Sequence, residues 1–450
     1  MIPPSLVLQL VIALISSSFS LGSYQHSPLP NDFSHPIHET GDDYRTFGSK
    51  FPSLIKSEAD IHVFESLAHV GVPQVGAPTA SPKMVNVDDF GARGDGTDDT
   101  EAFKKAWKKA CSSRAVLVVP ANKVYHVKPI NFSGPCNPDF KMTIHGTIKA
   151  STNPSDYKKD PRHWLVFEDV HSLAVDGGGT IDGNGRVWWQ KSCKINEHLP
   201  CRGAPTAVTF DRCNSLRVGS LRIKDAQQMH LTFRDCVDVV ASHLMVIAPE
   251  KSPNTDGIHV SGTQNIKIMN SVIRTGDDCV SIVNGSRNVQ VTDIICGPGH
   301  GISIGSLGKD GAKNYVSNVI VDRAKFSGTT NGVRIKSWQG GSGLAENITF
   351  QNIEMHNVSN PLIINQNYCD QKKACPTRHS AVQVKNVHYR NIKGTSASEV
   401  AIIFNCSSNF PCKGINLQDI NLVRDGGGDV EASCKNVLQT TRGRVSPHCF

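Results

Sequence analysis

Three carboxylates, one imidazole and two cations recur in one frame near the middle of this chain. Asp256, Asp278 and His300 each open a short segment of alternating apolar residues: Asp256-Gly-Ile-His-Val, Asp278-Cys-Val-Ser-Ile and His300-Gly-Ile-Ser-Ile. Asp277 directly precedes Asp278, and Asn331-Gly-Val-Arg-Ile-Lys brings Arg334 and Lys336 one repeat later. Carboxylates crowded on one patch raise one another's pKa, so one can hold a proton while another stays a base. An acid at a leaving oxygen and a base on water are the parts that cleave a glycosidic bond. Arg334 and Lys336, two apart, would face the same way on a strand and suit a carboxylated sugar. A structural polar ladder is the bland alternative, but like charges on adjacent strands destabilise a sheet.

The elements that must position these residues are strands of a solenoid. Starts of the four segments differ by 22, 22 and 31 residues, about one coil of a right-handed parallel β-helix with longer turns swelling some coils. Period-two alternation gives inward columns Ile258/Val280/Ile302/Val333 and Val260/Ile282/Ile304/Ile335, and an outward column His259/Ser281/Ser303/Arg334. Asp256, Asp278 and His300 then stack on consecutive strands about 4.8 Å apart. A second frame, Asn-apolar-x-apolar, interleaves at Asn265, Asn288, Asn318, Asn347 and Asn386, with looser copies at Ser215 and Gly414. Before the repeat, Ala102, Phe103, Ala106, Trp107 and Ala110 mark one face of a short helix that would cap the solenoid, with Lys104, Lys105, Lys108 and Lys109 opposite. Asp176-Gly-Gly-Gly-Thr reads as a tight coil turn and not as a phosphate loop, which needs a following helix. The expected class is all-β.

The 450 residues divide unevenly. Leu6–Ile15 is apolar except for Gln9 and is followed by Ser16-Ser-Ser-Phe-Ser20, the pattern of a signal peptide over 1–20. No other stretch approaches the length of a membrane span. Residues 21–82 have little periodicity and carry seven acids against three bases; they read as a pro-region or loose extension. Residues 83–450 form the catalytic solenoid. The expected location is therefore secreted and extracellular, with no membrane partner. Five sequons begin at Asn131, Asn284, Asn347, Asn357 and Asn405. Fourteen cysteines without a Cys-x-x-Cys point to disulfides rather than zinc. Pairs Cys279/Cys296, Cys369/Cys375 and Cys406/Cys412 are close enough in sequence to close short loops. Net charge is +7, and removing the segment that carries −4 would take it to +11. That suits a polyanionic partner.

Asn254-Thr-Asp256, Gly276-Asp277-Asp278, Gly299-His300-Gly301 and Arg334-Ile-Lys336 stand in the order and spacing of the polygalacturonases, glycoside hydrolase family 28, and the chain resembles that family over about residues 84 to 450. Ser252-Pro-Asn-Thr-Asp-Gly, Gly297-Pro-Gly-His-Gly-Ile-Ser-Ile-Gly-Ser-Leu-Gly and Ser337-Trp-Gln-Gly-Gly-Ser-Gly resemble its plant members. The extension before Met84 is similar to the pro-region of fruit, abscission and dehiscence-type enzymes. The resemblance implies a pectin-lyase-like β-helix that is a cell-wall enzyme and a monomer, acting on pectate (homogalacturonan) without cofactor or metal. It implies Asp277 as general acid, Asp256 and Asp278 as activators of water, and His300 as a tuning residue. Asn254, Arg334, Lys336 and Tyr368 would bind substrate. An inverting, endo-acting hydrolase that loosens walls or separates cells is the leading expectation. An exo-acting hydrolase, a calcium-dependent pectate lyase and a non-catalytic wall-binding solenoid are the alternatives; nucleic acid is not an expected partner.

Overall fold

A computed structural model describes residues 83–371 and 374–449 of the chain. The expected signal peptide and extension, 1–82, lie outside the described residues. From Lys83 onward the chain forms one continuous stack of parallel strands, a right-handed parallel β-helix.

Two ladders carry the stack. The short strands Leu231–Arg234, Ile258–Ser261, Val280–Ile282, Ile302–Leu307, Asn331–Trp338 and Asn360–Tyr368 pair in parallel, each with the next. Their register sets Ile258 against Val280, Val280 against Ile302, and Ile302 against Val333. The repeat lengths read from the sequence are therefore the coil lengths of the fold. Both expected inward columns are fully buried. The Val260 column continues backward into stacked rings, Phe132, Phe167, Phe210 and Phe233, with centroids 4.8–5.6 Å apart. Stacking like on like fills each layer with the same shape, which is why a short apolar frame suffices to build a long core.

The second ladder holds the longer strands, among them Gln264–Arg274, Arg287–Cys296, Lys313–Ser327, Ser342–Val358 and Gln383–Ser396. Each bends at a left-handed residue: Asn270, Asp293, Arg323, Asn352 and Asn391 all have φ of 48–55°. The frame asparagines Asn265, Asn288, Asn318, Asn347 and Asn386 are left-handed too, with φ of 52–57°. Asparagine tolerates that conformation because its short amide bonds locally. Here the amides also bond one another between coils, Asn288 to Asn265 at 2.8 Å, Asn318 to Asn288 at 3.0 Å and Asn347 to Asn318 at 3.2 Å. The frame thus marks left-handed corners at or within these strands.

The helix Thr100–Cys111 buries the apolar face read from sequence and leaves the four lysines exposed. Trp107 inserts among Phe132, Phe140 and Phe167, and its Nε1 donates to the Ser133 carbonyl at 3.1 Å. The helix therefore closes the first coil, whose apolar layer would otherwise face water. The three anticipated disulfides are present, as are Cys111–Cys136, Cys193–Cys201 and Cys434–Cys449. Cys213 and Cys236 are buried thiols on successive coils. No described helix is long and apolar enough to cross a membrane.

Candidate active site

The catalytic frame sits in the turns that feed the short strands. Backbone bonds fix the stack: Gly257 N–H donates to Asp278 O at 2.9 Å, Cys279 N–H to Gly301 O at 2.7 Å, and His300 N–H to Asp277 O at 2.8 Å. Asp256, Asp278 and His300 are therefore in one column, as their spacing required. Two glycines permit this closeness. A Cβ on Gly276 would lie 2.0 Å from Ser252 O, and one on Gly301, at φ +82°, 2.1 Å from Asn331 O. The Cys279–Cys296 bridge pins the segment behind the column.

The carboxylates have unlike surroundings. Asp278 is almost wholly buried and accepts from Arg334 Nη2 at 2.7 Å, Ser303 Oγ at 2.8 Å and Lys336 Nζ at 2.8 Å. Asp256 accepts from Ser281 Oγ at 2.8 Å. Burial first, then the nearby Asp277 and Asp278 charges, push Asp256 well above the usual carboxylate range. Asp277 accepts from its neighbour's N–H, Asp278 N, at 2.8 Å, and weakly from Asn254 Nδ2 at 3.4 Å. Its Oδ1 lies 3.1 Å from His300 Nδ1. Burial raises Asp277, but the His300 hydrogen bond and the charges of His300 and Lys336 outweigh it and leave it below its ordinary value. His300 is correspondingly raised, chiefly by that bond. Burial and like charge thus favour the neutral form of Asp256, whereas the His300–Asp277 contact favours the charged form of both its partners.

Accessibility separates them further. Side chains of His300 and Asp277 are 40% and 16% exposed, that of Asp278 only 2%. The pair that faces outward is the one that can reach a leaving oxygen. Arg334 and Lys336 do point the same way, but both spend donors on Asp278. Lys336 Nζ also lies 5.5 Å from the Tyr368 ring, and Tyr368 packs edge-on against Trp338 at 5.4 Å. Tyr368 thus joins the cluster from the strand after Lys336, and burial, with Asp370 nearby, pushes its phenol up to about 12.

One oxygen or nitrogen each from Asp277, Asp278 and His300 lies within 4.8 Å of the others. The donor set fits a dication poorly: Arg334 and Lys336 already supply two positive charges to Asp278, and His300 favours its own proton.

Sequence reading passed over Ser281, Ser303 and His259 as functional residues, although all three stand in the outward column. The signal was their phase: each lies three residues after a column acid or His300. An outward residue in a coil is ordinarily solvent-facing, whereas Ser281 and Ser303 are 2% and 0% exposed beneath the carboxylates.

A parallel β-helix with crowded carboxylates, an imidazole paired to one of them and flanking cations on one face is the build of a solenoid glycosidase. The chain belongs to family 28 of the glycosyl hydrolases, whose family model matches residues 111–443. It is 60% identical over 377 residues to polygalacturonase QRT2 of Arabidopsis thaliana, covering 83% of this chain and 86% of that one. It is 58% identical over 370 residues to polygalacturonase-2 of Solanum lycopersicum, covering 82% and 81%. The fold superimposes on a polygalacturonase from Erwinia carotovora with a TM-score of 0.65 at 22% identity, covering 82% of this chain and 99% of that one.

Proposed function

We propose that this chain is a polygalacturonase that hydrolyses the α-1,4 links of de-esterified polygalacturonate. The observation that carries the reading is the stacked trio Asp256, Asp277 and Asp278 with His300, Arg334 and Lys336, in a chain 56–60% identical to proteins named polygalacturonase. Asp277, with the proton it shares with His300, protonates the glycosidic oxygen. Asp256 and Asp278 hold and deprotonate the attacking water on the other face of the sugar, with inversion at the anomeric carbon. Arg334 and Lys336 turn part of their donor capacity to galacturonate carboxylates, beside Asn254 and Tyr368. The action is endo, and the protein is a secreted monomer of the cell wall without a metal or other cofactor.

The test is product size in early digestion of pectate. Long oligomers support the endo reading, and single galacturonate units replace it with the exo one. Unsaturated products that absorb in the ultraviolet and vanish with chelator would instead mark a calcium-dependent lyase. Pectate binding without new reducing ends would mark a non-catalytic binder.

One observation favours a second assignment: the raised acid is Asp256, not Asp277. Exchange of the two roles is tested with a galacturonide bearing an activated leaving group, which needs no acid. Only the variant lacking the true acid keeps turning it over.

A further inference from the structure

The carboxylates assigned to water stand on two serine relays of the same shape. Ser281 Oγ donates to Asp256 Oδ2 at 2.8 Å, and Ser303 Oγ donates to Asp278 Oδ1 at 2.8 Å. Each serine lies in the outward column one coil beyond its acid. A hydroxyl has one proton and two lone pairs, so each serine, its proton spent on the acid, must accept any other bond it makes. Ser281 Oγ is 2.7 Å from His259 Nδ1, and Ser303 Oγ is 2.9 Å from Arg334 Nε. When Asp256 is ionised, as its role toward water requires, His259 carries its proton on Nδ1. Burial pushes its pKa down to about 4, so near neutral pH it serves as a neutral donor.

The two relays run donor, hydroxyl, carboxylate, and differ in charge. The one ending at Asp278 begins in a guanidinium, joined by Lys336 Nζ on the other oxygen. The one ending at Asp256 begins in a neutral imidazole. The wiring is alike as far as the serine, but Arg334 Nη2 also bonds Asp278 Oδ1 directly at 2.7 Å, so Asp278 is held by three donors and Asp256 by Ser281, which leaves the two acids electrostatically distinct.

We propose that Ser281 and Ser303 are positioning residues that set the carboxyl planes of Asp256 and Asp278 for the attacking water, and that His259, whose Nδ1 lies 3.9 Å from Asp256 Oδ2, acts on Asp256 through Ser281. This rests on the hydrolase reading of the site. A carboxylate freed to rotate no longer presents one oxygen to water, and misplacement by about 1 Å can cost about a hundredfold in rate.

The test is steady-state kinetics on oligogalacturonate with thermal unfolding as a folding check. Ser281→Ala should lower kcat by about tenfold to a hundredfold with KM within about twofold, and Ser303→Ala should lower it less, because Arg334 and Lys336 still hold both Asp278 oxygens. His259→Leu should match Ser281→Ala, and the double variant should be no worse than either, because both remove one path. His259→Asn, whose amide can replace the Nδ1–H donor, should recover most of the loss. Multiplying losses in the double variant, no rescue by asparagine, or an unchanged kcat in Ser281→Ala would overturn the relay. Asp256→Asn serves as the reference. If it is inactive while Ser281→Ala is fully active, the relay alone fails; if it turns over normally, the hydrolase assignment of Asp256 fails with it.

Discussion

His300 and Asp277 are joined twice across neighbouring coils, by His300 N–H to Asp277 O at 2.8 Å and by Nδ1 to Oδ1 at 3.1 Å. The backbone bond fixes the register, and the register fixes the side-chain pair. The carboxylate proposed to protonate the leaving oxygen is thereby coupled to an imidazole whose pKa it raises above the ordinary value.

Replacing Asp277 should separate binding from chemistry. Asp277→Asn keeps the size of the side chain and removes the transferable proton. The expected loss in kcat is at least about a thousandfold, with oligogalacturonate binding within a few-fold of the parent protein, as general acid catalysis and its electrostatics are together worth that much. Titration calorimetry beside reducing-end assays measures both.

Activity should fall on the alkaline side. His300 and Asp256 both have folded pKa values raised above their ordinary ones, so each favours the protonated form in the native state. Their sign is the same: the native state binds more protons, and stability is lost as pH rises through the folded values. Turnover should decline as pH rises through the raised His300 value, because the proton it shares with Asp277 is then lost. A rate profile flat to pH 9 contradicts it.

The acid side has the opposite origin. Burial lowers His230 and His259 to about 4 from 6.5, so the unfolded chain binds protons first. Stability should fall as pH drops from about 6.5 to 4, by on the order of 3 kcal/mol for each histidine. Calorimetric Tm against pH checks this, and His230→Gln should shallow the limb.

Breaking the Lys336–Asp278 pair should cost stability as well as rate. Both side chains are at least nine-tenths buried. Lys336→Met leaves part of the Asp278 charge uncompensated, a loss of about 3 kcal/mol, seen as a lower midpoint in denaturant. An unchanged midpoint would mean that Arg334 alone neutralises the acid.

The asparagine ladder gives a prediction away from the site. Asn318 is left-handed at φ 57° and bonds both neighbours in the ladder. Asn318→Gly should lose about 1 kcal/mol through the amide bonds. Asn318→Val should lose at least about 1–2 kcal/mol more, since a β-branched side chain resists that conformation. Urea midpoints rank the two.

Sequence by itself determined the coil. Alternation of apolar residues at period two, with repeats of 22, 22 and 31, fixes which side chains point inward, because stacked coils must bury like on like. It also placed Asp256, Asp278 and His300 in one column and Arg334 with Lys336 on one face. Only the tertiary structure decided how those charges are shared. Which carboxyl is raised depends on desolvation and on which acid the two cations bind, and both are set by neighbours one or two coils away. Arg334 is 56 residues from Asp278 in sequence yet 2.7 Å from it in space. Ser281, Ser303 and His259 were visible only as an outward column; the turns that fold the carboxylates over them made that column the floor of the site.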